Sequence, residues 1–342
     1  MRSTTLKILA TSIGIHFLHG AAQAQDAFYK DKRLTIIVGS AAGSGYDAYA
    51  RLMARNFGRH LQGAPSVIVQ NMPGGGGLSS ANYLYNVASK DGTVVGALQR
   101  GMIISPLIAP QGVQFDARKF TWLGSTTSET GVVAVWHTSP HQTIQDVLSH
   151  ELLVGGSGPA TDSETLPRVY SEAIGARIRI ISGYKSTNEV LLSMERGEVQ
   201  GIGNSSWSNW RAGFAHYLSE KKVRILMQAG LKKHSELADV PLVLDLARNS
   251  DGRQMLELFL APLTIGRPFA APPEIPSARV ADLRSAFDKM LADPFFVADA
   301  SKANLEISAV SGSFIDEALG RLYAIPKEVV EAASKAIEAK SN

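Results

Sequence analysis

Short apolar runs alternate with amphipathic stretches along most of this chain. Residues 34–38 (LTIIV) are apolar, rich in β-branched side chains and stopped by Gly39, which predicts a buried strand. After a loop of small residues, Tyr46, Tyr49, Ala50, Met53 and Phe57 recur at helical spacing. A second strand is predicted at 67–70. Pro73 and the glycines Gly74 to Gly77 break it, and a helix restarts over 78–86. Lys90-Asp91-Gly92 turns the chain into a third strand at 93–98. The rhythm continues with strands at 132–136, 152–155, 178–181, 199–203 and 223–228. Helices are predicted near 144–149, 164–174, 188–196 and 207–220. Such alternation predicts parallel sheets covered by helices.

The pattern changes after about residue 260. Pro262, Pro268, Pro272, Pro273 and Pro276 predict a semi-rigid, extended passage. Helices follow at 277–292, 294–303, 313–320 and 326–340, the last with Val330, Ala333 and Ile337 on one face. Two stretches, about 125–132 and about 255–268, read as crossings between lobes. A chain that crosses twice carries its second lobe as an insertion in the first. Residues 25–130 and 261–342 then form lobe 1 and residues 131–260 lobe 2. The cleft between such lobes is a favoured ligand site.

Residues 1–24 read as an export address. Arg2 and Lys7 give a positive start, residues 8–18 a short apolar stretch, and Ala22-Gln23-Ala24 a cleavage pattern. The alternatives are an uncleaved anchor or a buried first helix. The apolar stretch is about half of the roughly 20 residues that a spanning helix needs. The expectation is a cleaved signal peptide and a periplasmic mature protein.

Composition narrows the function. The 342 residues include 34 Lys+Arg and 31 Asp+Glu, for a formal charge of +3. That excess is too small for a nucleic-acid binder driven by bulk electrostatics. The absence of cysteine excludes disulfides, thiolate metal sites, cysteine nucleophiles and a Cys-linked lipid anchor. The eight histidines show no H-E-x-x-H or other metal spacing. His137 and His141 lie four apart, but Pro140 interrupts a helix there, and both read as solvated. No G-x-S-x-G elbow occurs. The expectation is no metal, no cofactor and no catalytic residue.

Three glycine-rich loops stand out. The first runs Ser40-Ala41-Ala42-Gly43-Ser44-Gly45-Tyr46-Asp47 between a strand and a helix. Small side chains let a ligand approach the backbone, and the N–H groups of a helix start favour an anion. The spacing fits neither a dinucleotide fingerprint nor a P-loop. A plain tight turn explains it equally well. The second loop, Ser157-Gly158-Pro159-Ala160-Thr161-Asp162-Ser163, again joins a strand to a helix. Thr161, Asp162 and Ser163 are all suited to capping, which by itself accounts for them. The duplication argues for more: with one such loop in each lobe, both helix starts can face one cleft. That would make an anion site without formal positive charge. The third, Pro73 to Gly77, reads as a flexible turn.

Other candidates lie at strand ends. Arg100, with Gln99 beside it, follows the third strand where doubly wound sheets bind ligands, and its fork suits a carboxylate. A surface arginine is the alternative. Tyr184, Asn204 and Trp207 follow later strands and can grip an organic ligand. Trp210 reads as core.

At this point a family resemblance enters. The runs VGSAAGSGYDAYARLMAR, VQNMPGGGGLSSANYLYN and KDGTVVGALQRG resemble the substrate-binding receptors of tripartite tricarboxylate transporters, the Bug or TctC-like family. VGGSGPATDSE, SGYKSTNEVLLSMERGEVQG, VPLVLDLA and APPEIPSARVADLRSAFDKML extend the resemblance over nearly the whole chain. It implies an α/β fold of the type II periplasmic binding protein class, with two doubly wound lobes and a ligand cleft between them. It also implies a receptor, not an enzyme, that closes over a small organic carboxylate and delivers it to a membrane permease. In the family, backbone amides of the two loops hold the carboxyl group. Here the carry-over falls on Ser40 to Asp47 and on Ser157 to Ser163. The sequence departs from the family at Ala42-Gly43-Ser44-Gly45, where P-G-G is common, and at Gln200. A relative's ligand is therefore not transferable. Tyr46, Tyr184 and Trp207 point to an aromatic or partly apolar remainder on the ligand. The expected protein is a monomer without nucleic acid. The alternatives are an exported sensing subunit, or an exported enzyme acting on a carboxylate through Asp47, Asp162 or Glu164.

Overall fold

The computed structural model describes residues 28–158 and 161–338, so the predicted export address lies outside the described residues. The chain forms two mixed sheets, each flanked by helices. The first holds β1 (Arg33–Val38), β2 (Ser66–Asn71), β3 (Val94–Ala97), β4 (Thr121–Ser125), β10 (Pro268–Ala271) and β11 (Val310–Ser311), in the order β11-β4-β10-β3-β1-β2. The second holds β5 (Gly131–Trp136), β6 (Leu152–Gly155), β7 (Ile178–Ile181), β8 (Gly201–Ser206) and β9 (Val223–Ala229), in the order β7-β6-β8-β5-β9. Each sheet with its helices is called a lobe below.

Burial follows position in the sheet. Strand β1 lies between β2 and β3, and four of its six residues are buried, as expected for a strand covered on both faces. Strand β5 is buried throughout. The edge strands β2 and β7 contain no buried residue and alternate between half-buried and exposed positions.

On the first sheet, α1 (Gly45–Phe57) packs against β1 and β2, and α2 (Leu78–Asn86) against β3. The short α3 (Ser105–Ile108) follows β3, and α4 (Ile144–Ser149) precedes β6. On the second sheet, α5 (Asp162–Ala173) covers β7 and β8, and α6 (Thr187–Glu195) covers β5 and β8. Next come α7 (Trp207–Ala212), α8 (Ala215–Ser219) and α9 (Ser250–Leu260). Helices α10 (Ser277–Ala292) and α12 (Gly312–Tyr323) return to β4, with α11 (Pro294–Lys302) between them in sequence, and α13 (Lys327–Glu338) packs on α3 and α5.

Three differences from the sequence reading have clear causes. The sheets are mixed, because β10 runs antiparallel to β3 and β4, and β5 antiparallel to β8 and β9. These strands flank the two passages between sheets, where the chain enters from the other lobe rather than by a βαβ crossover within one sheet. The stretch from 255 is helical up to Leu260, since Asn249 caps α9 through the Gly252 amide and Leu256 and Leu260 bury on its inner face. The helix read at 207–220 is two helices with a break at Gly213 and Phe214.

The lobes share one core. Leu98, Met102, Ile103 and Trp122 of the first lobe join Val133, Val154, Leu166 and Tyr170 of the second in a single buried cluster. Leu256, Leu260 and Leu263 of the returning passage complete it. Two separate clusters fill the outer faces: Ile36, Met53, Phe57 and Phe287 in the first lobe, Val190, Met194, Ile202 and Trp210 in the second. Trp122 is fully buried and donates Nε1–H to Ala117 O at 2.9 Å. Trp122→Ala should therefore cost about 3–5 kcal/mol of stability in urea unfolding; a loss below about 1 kcal/mol would contradict this packing.

Candidate functional site

A small polar cavity of about 70 Å³ lies between the two sheets. Both glycine-rich strand–helix loops reach it. From the first come Ser40, Ser44, Gly45 and Tyr46; from the second, Ser157, Thr161, Asp162 and Ser163. Helix α1 begins at Gly45 and α5 at Asp162, so both N-termini meet at the cavity. Their partial positive ends favour a negative group there.

Each loop is folded back onto a buried carboxylate in the first turn of its own helix. Asp47 accepts from Gly43 N–H at 2.8 Å, from Asn71 Nδ2 at 2.9 Å and from Arg51 Nε at 2.8 Å. Burial opposes its charge, but these donors prevail and hold its pKa below the usual aspartate value. Glu164 accepts from Gly158 N–H at 2.7 Å and from Ser182 Oγ at 2.5 Å, and pairs with Arg168 at 3.2 Å. In both helices the arginine lies one turn beyond the acid, at i+4. Asp47 and Glu164 therefore shape the loops from beneath, and neither lines the cavity.

Two arginines sit against the cavity. Arg100 follows β3 at the start of a 3₁₀ turn, Arg100–Ile103, and its side chain is 5% exposed. Its Nε and Nη2 converge on Asp162 Oδ2 of the opposite lobe, and Nη1 donates to Ser206 Oγ at 3.1 Å. Its backbone N–H donates to the Tyr46 hydroxyl at 3.1 Å. Burial disfavours the charged guanidinium, yet the Asp162 carboxylate outweighs it and holds the pKa above the usual arginine value. Arg267, just before β10, pairs with Glu129 at 3.0 Å, both side chains being almost fully buried. Arg267 Nε nonetheless makes no hydrogen bond. Arg267 Nη2 donates to Asn209 Oδ1 at 2.9 Å and Ser208 Oγ at 3.2 Å, and the guanidinium lies 4.4 Å from the Tyr46 ring centre.

The structure brings together Ser40, Ser44, Gly45, Tyr46, Gln99, Arg100, Ser157, Thr161, Asp162, Ser163 and Asn204 of the residues singled out in sequence. Ala41, Ala42, Gly43, Asp47 and Gly158 belong to the loops but not to the lining, and Ala160 lies outside the described residues. Tyr184 and Trp207 pack beside the second lobe's outer core instead, and Trp207 Nε1 donates to Glu236 at 2.8 Å. Lys185, Ser186, Thr187, Ser205, Ser206, Asn209 and Arg267 complete the lining. Of the cationic residues at the cavity, Arg100 is among those singled out in sequence, whereas Lys185 and Arg267 are not. His141 is buried against Ser139 rather than solvated. Asn204 is 2% exposed; its Oδ1 accepts from the Tyr170 hydroxyl, and its Nδ2 is buried without an acceptor.

The third glycine loop is a packing element. A Cβ on Gly158 would come within 3.1 Å of Gly76 N, so the third loop of one lobe abuts the second loop of the other. Gly45 is equally constrained, since a Cβ there would meet Asn209 Oδ1 at 2.0 Å.

No family model matches the chain. Among curated sequences it is 24% identical over 232 residues to a UPF0065 protein of Cupriavidus necator from the gbd 5′ region, covering 66% of this chain and 67% of that one. It is 26% identical over 206 residues to a UPF0065 protein of Agrobacterium vitis from the TAR-I ttuE-ttuC′ intergenic region, covering 58% and 57%. The match thus spans between half and about two thirds of these relatives' lengths. Solved structures agree over far more of the chain. The periplasmic binding protein BugD superimposes with a TM-score of 0.73 at 18% identity, covering 90% of this chain and 98% of BugD. The chain has the Bug-type periplasmic binding protein fold. Other neighbours in fold include MatC from Rhodopseudomonas palustris with bound malate (TM-score 0.68, 19% identity, 87% and 99% covered). A second R. palustris protein with adipate gives a TM-score of 0.69 at 17% identity, with 88% and 97% covered. The resemblance read from the loop motifs is to this same Bug and TctC group.

Within the Bug-type fold, the role assigned to Asp47 is testable. Asp47→Asn should cost about 2 kcal/mol near neutral pH, since hydrogen bonds to a charged group are worth roughly 1.5–3 kcal/mol. The folded-state pKa is lowered, so the wild type's advantage is full above about 3.8, the ordinary aspartate value. It should shrink as pH falls from there through the lowered value. Urea melts of both proteins at pH 7, 4 and 2.5 check this; an advantage that grew on acidification would exclude the assigned role.

Proposed function

We propose that this chain is an extracytoplasmic receptor that captures a small organic carboxylate between its lobes and hands it to a tripartite tricarboxylate-type permease. The observation that carries the reading is the convergence of two helix N-termini and two buried arginines on one interlobe cavity. The residues that line the proposed site are Ser40, Ser44, Gly45, Tyr46, Gln99 and Arg100 from one lobe, with Ser157, Thr161, Asp162, Ser163 and Asn204 from the other. The lobes themselves are taken as 25–130 with 261–342, and 131–260. Export to the periplasm fits the location of BugD.

Binding proceeds by population shift: a ligand touching both lobes stabilises the closed arrangement over the open one. The acids available for turnover are occupied elsewhere. Asp47 and Glu164 hold loops, and Asp162 is paired with Arg100. The lining includes a single aromatic ring, Tyr46, among the described residues. That favours a compact, polar aliphatic acid over the aromatic one the sequence suggested. Malate and adipate, bound by the two R. palustris proteins, are the natural first probes.

A thermal-shift panel of di-, tri- and aromatic acids tests this. At about 100 times its dissociation constant, a true ligand stabilises the folded state by about 2.7 kcal/mol, which raises Tm by several degrees. No shift with any acid at millimolar concentration, or conversion of a bound acid seen by mass spectrometry, would sink the receptor reading.

A further inference from the structure

Arg100 and Asp162 come from opposite lobes, one from the end of β3 and the other from the first turn of α5. Two N–H groups of the guanidinium, on Nε and Nη2, close on the single oxygen Oδ2 of Asp162. This edge of an arginine is the one that receives both oxygens of a carboxylate in a bidentate pair. Here an internal side chain holds it. Asp162 is the less buried partner, at 21% exposure, and stands at a helix start that stabilises a carboxylate without help from Arg100. Arg100, at 5%, is the more deeply buried partner. Among the residues lining the same cavity, Asn204 Nδ2 is a buried donor that no protein acceptor satisfies.

We infer that Asp162 is a resident carboxylate, occupying on Arg100 the seat that a ligand carboxylate takes and holding the ligand-free protein shut. This rests on the carboxylate-receptor reading above. Opening the lobes separates the pair and hydrates both charges. A ligand then supplies its own carboxylate to Arg100, and Asp162 turns toward solvent at the head of α5. Exchanging one carboxylate for another is close to neutral in electrostatic terms. Net binding must therefore come from what else the ligand brings, and the unspent Asn204 donor calls for a second acceptor. The pair thus selects against simple monoacids and for acids that carry a further oxygen.

The test uses the full mature chain with Asp162→Asn and Arg100→Gln. Small-angle scattering without ligand reads the latch, and calorimetry with acetate, malate and adipate reads the seat. Both variants should show a larger ligand-free radius of gyration than the wild type. Asp162→Asn should bind the best acid about tenfold more tightly, while Arg100→Gln should lose binding. Acetate, which the pair selects against in the wild type, should bind Asp162→Asn more tightly than it binds the wild type. If Asp162→Asn perturbs folding by circular dichroism, Asp162→Ser, which keeps a polar side chain at that helix start, replaces it. Unchanged ligand-free scattering in the Asp162 variant would overturn the inference. So would a loss of binding equal to that of Arg100→Gln, because Asp162 would then be a partner of the bound ligand rather than its competitor. An opened Asp162→Asn protein that binds none of the acids would uphold the latch and remove the carboxylate reading instead.

Discussion

A guanidinium sealed between two sheets is the constraint around which this molecule is arranged. Arg100 is too buried to be hydrated, and an unpaired charge in that position would cost several kcal/mol. Its partner, Asp162, belongs to the other lobe, so the charge is satisfied only while the lobes meet. Arg267 differs: its carboxylate, Glu129, lies in the adjoining outgoing passage, and α7 adds Ser208 and Asn209. The two passages also run side by side, with Thr126 N–H donating to Arg267 O at 3.2 Å and Gly266 N–H to Thr127 O at 2.8 Å. The shared core therefore fixes one side of the molecule, and the buried ion pairs decide how the other side sits.

The two loops answer one local problem in the same way. A helix N-terminus can face a ligand only if the loop before it is kept from collapsing onto the amides. In each lobe a first-turn carboxylate reaches back to a glycine amide of the loop, Asp47 to Gly43 and Glu164 to Gly158, and an arginine at i+4 holds the acid in place. The glycines matter because the lobes approach closely there, Gly158 against Gly76 and Gly45 against Asn209. In sequence these carboxylates are candidates for binding or for acid–base work. Their saturated hydrogen bonds assign them to loop geometry.

Much of this was legible in the chain because it is local. Apolar runs such as 34–38 and 152–155 announce strands, and the small-residue loops after them announce helix starts. The duplication of that unit already suggested two facing N-termini. What stayed hidden depends on long-range pairing. Strand β10 is four residues long and is recognisable only through its antiparallel partners β3 and β4. Arg267 reaches the cavity because that strand does, so no motif marks it. Ser206 and Asn209 follow from β8 ending three residues later than its apolar pattern implies. The Asp47/Arg51 and Glu164/Arg168 spacings were visible as i,i+4 pairs, and that signal could have separated loop-shaping acids from ligand-facing ones.

The cavity's charge balance reconciles the sequence reading with the structure. The sequence suggested an anion site made by the two loops' backbone dipoles, with Arg100 as a candidate clamp; the structure places both Arg100 and Arg267 beside it. Both arginines are spent: Arg100 on Asp162 and Arg267 on Glu129. Once those pairs cancel, the positive potential left within the cavity comes from the starts of α1 and α5, with Lys185 among the lining residues but exposed to solvent. Each helix start carries roughly half an elementary charge, so two together offset about one carboxylate. A second carboxylate on the ligand would have no matching charge unless it displaced Asp162 from Arg100. The number of charges the site accommodates is thus set by whether that one internal pair opens, which ties recognition of the ligand to the same contact that joins the lobes.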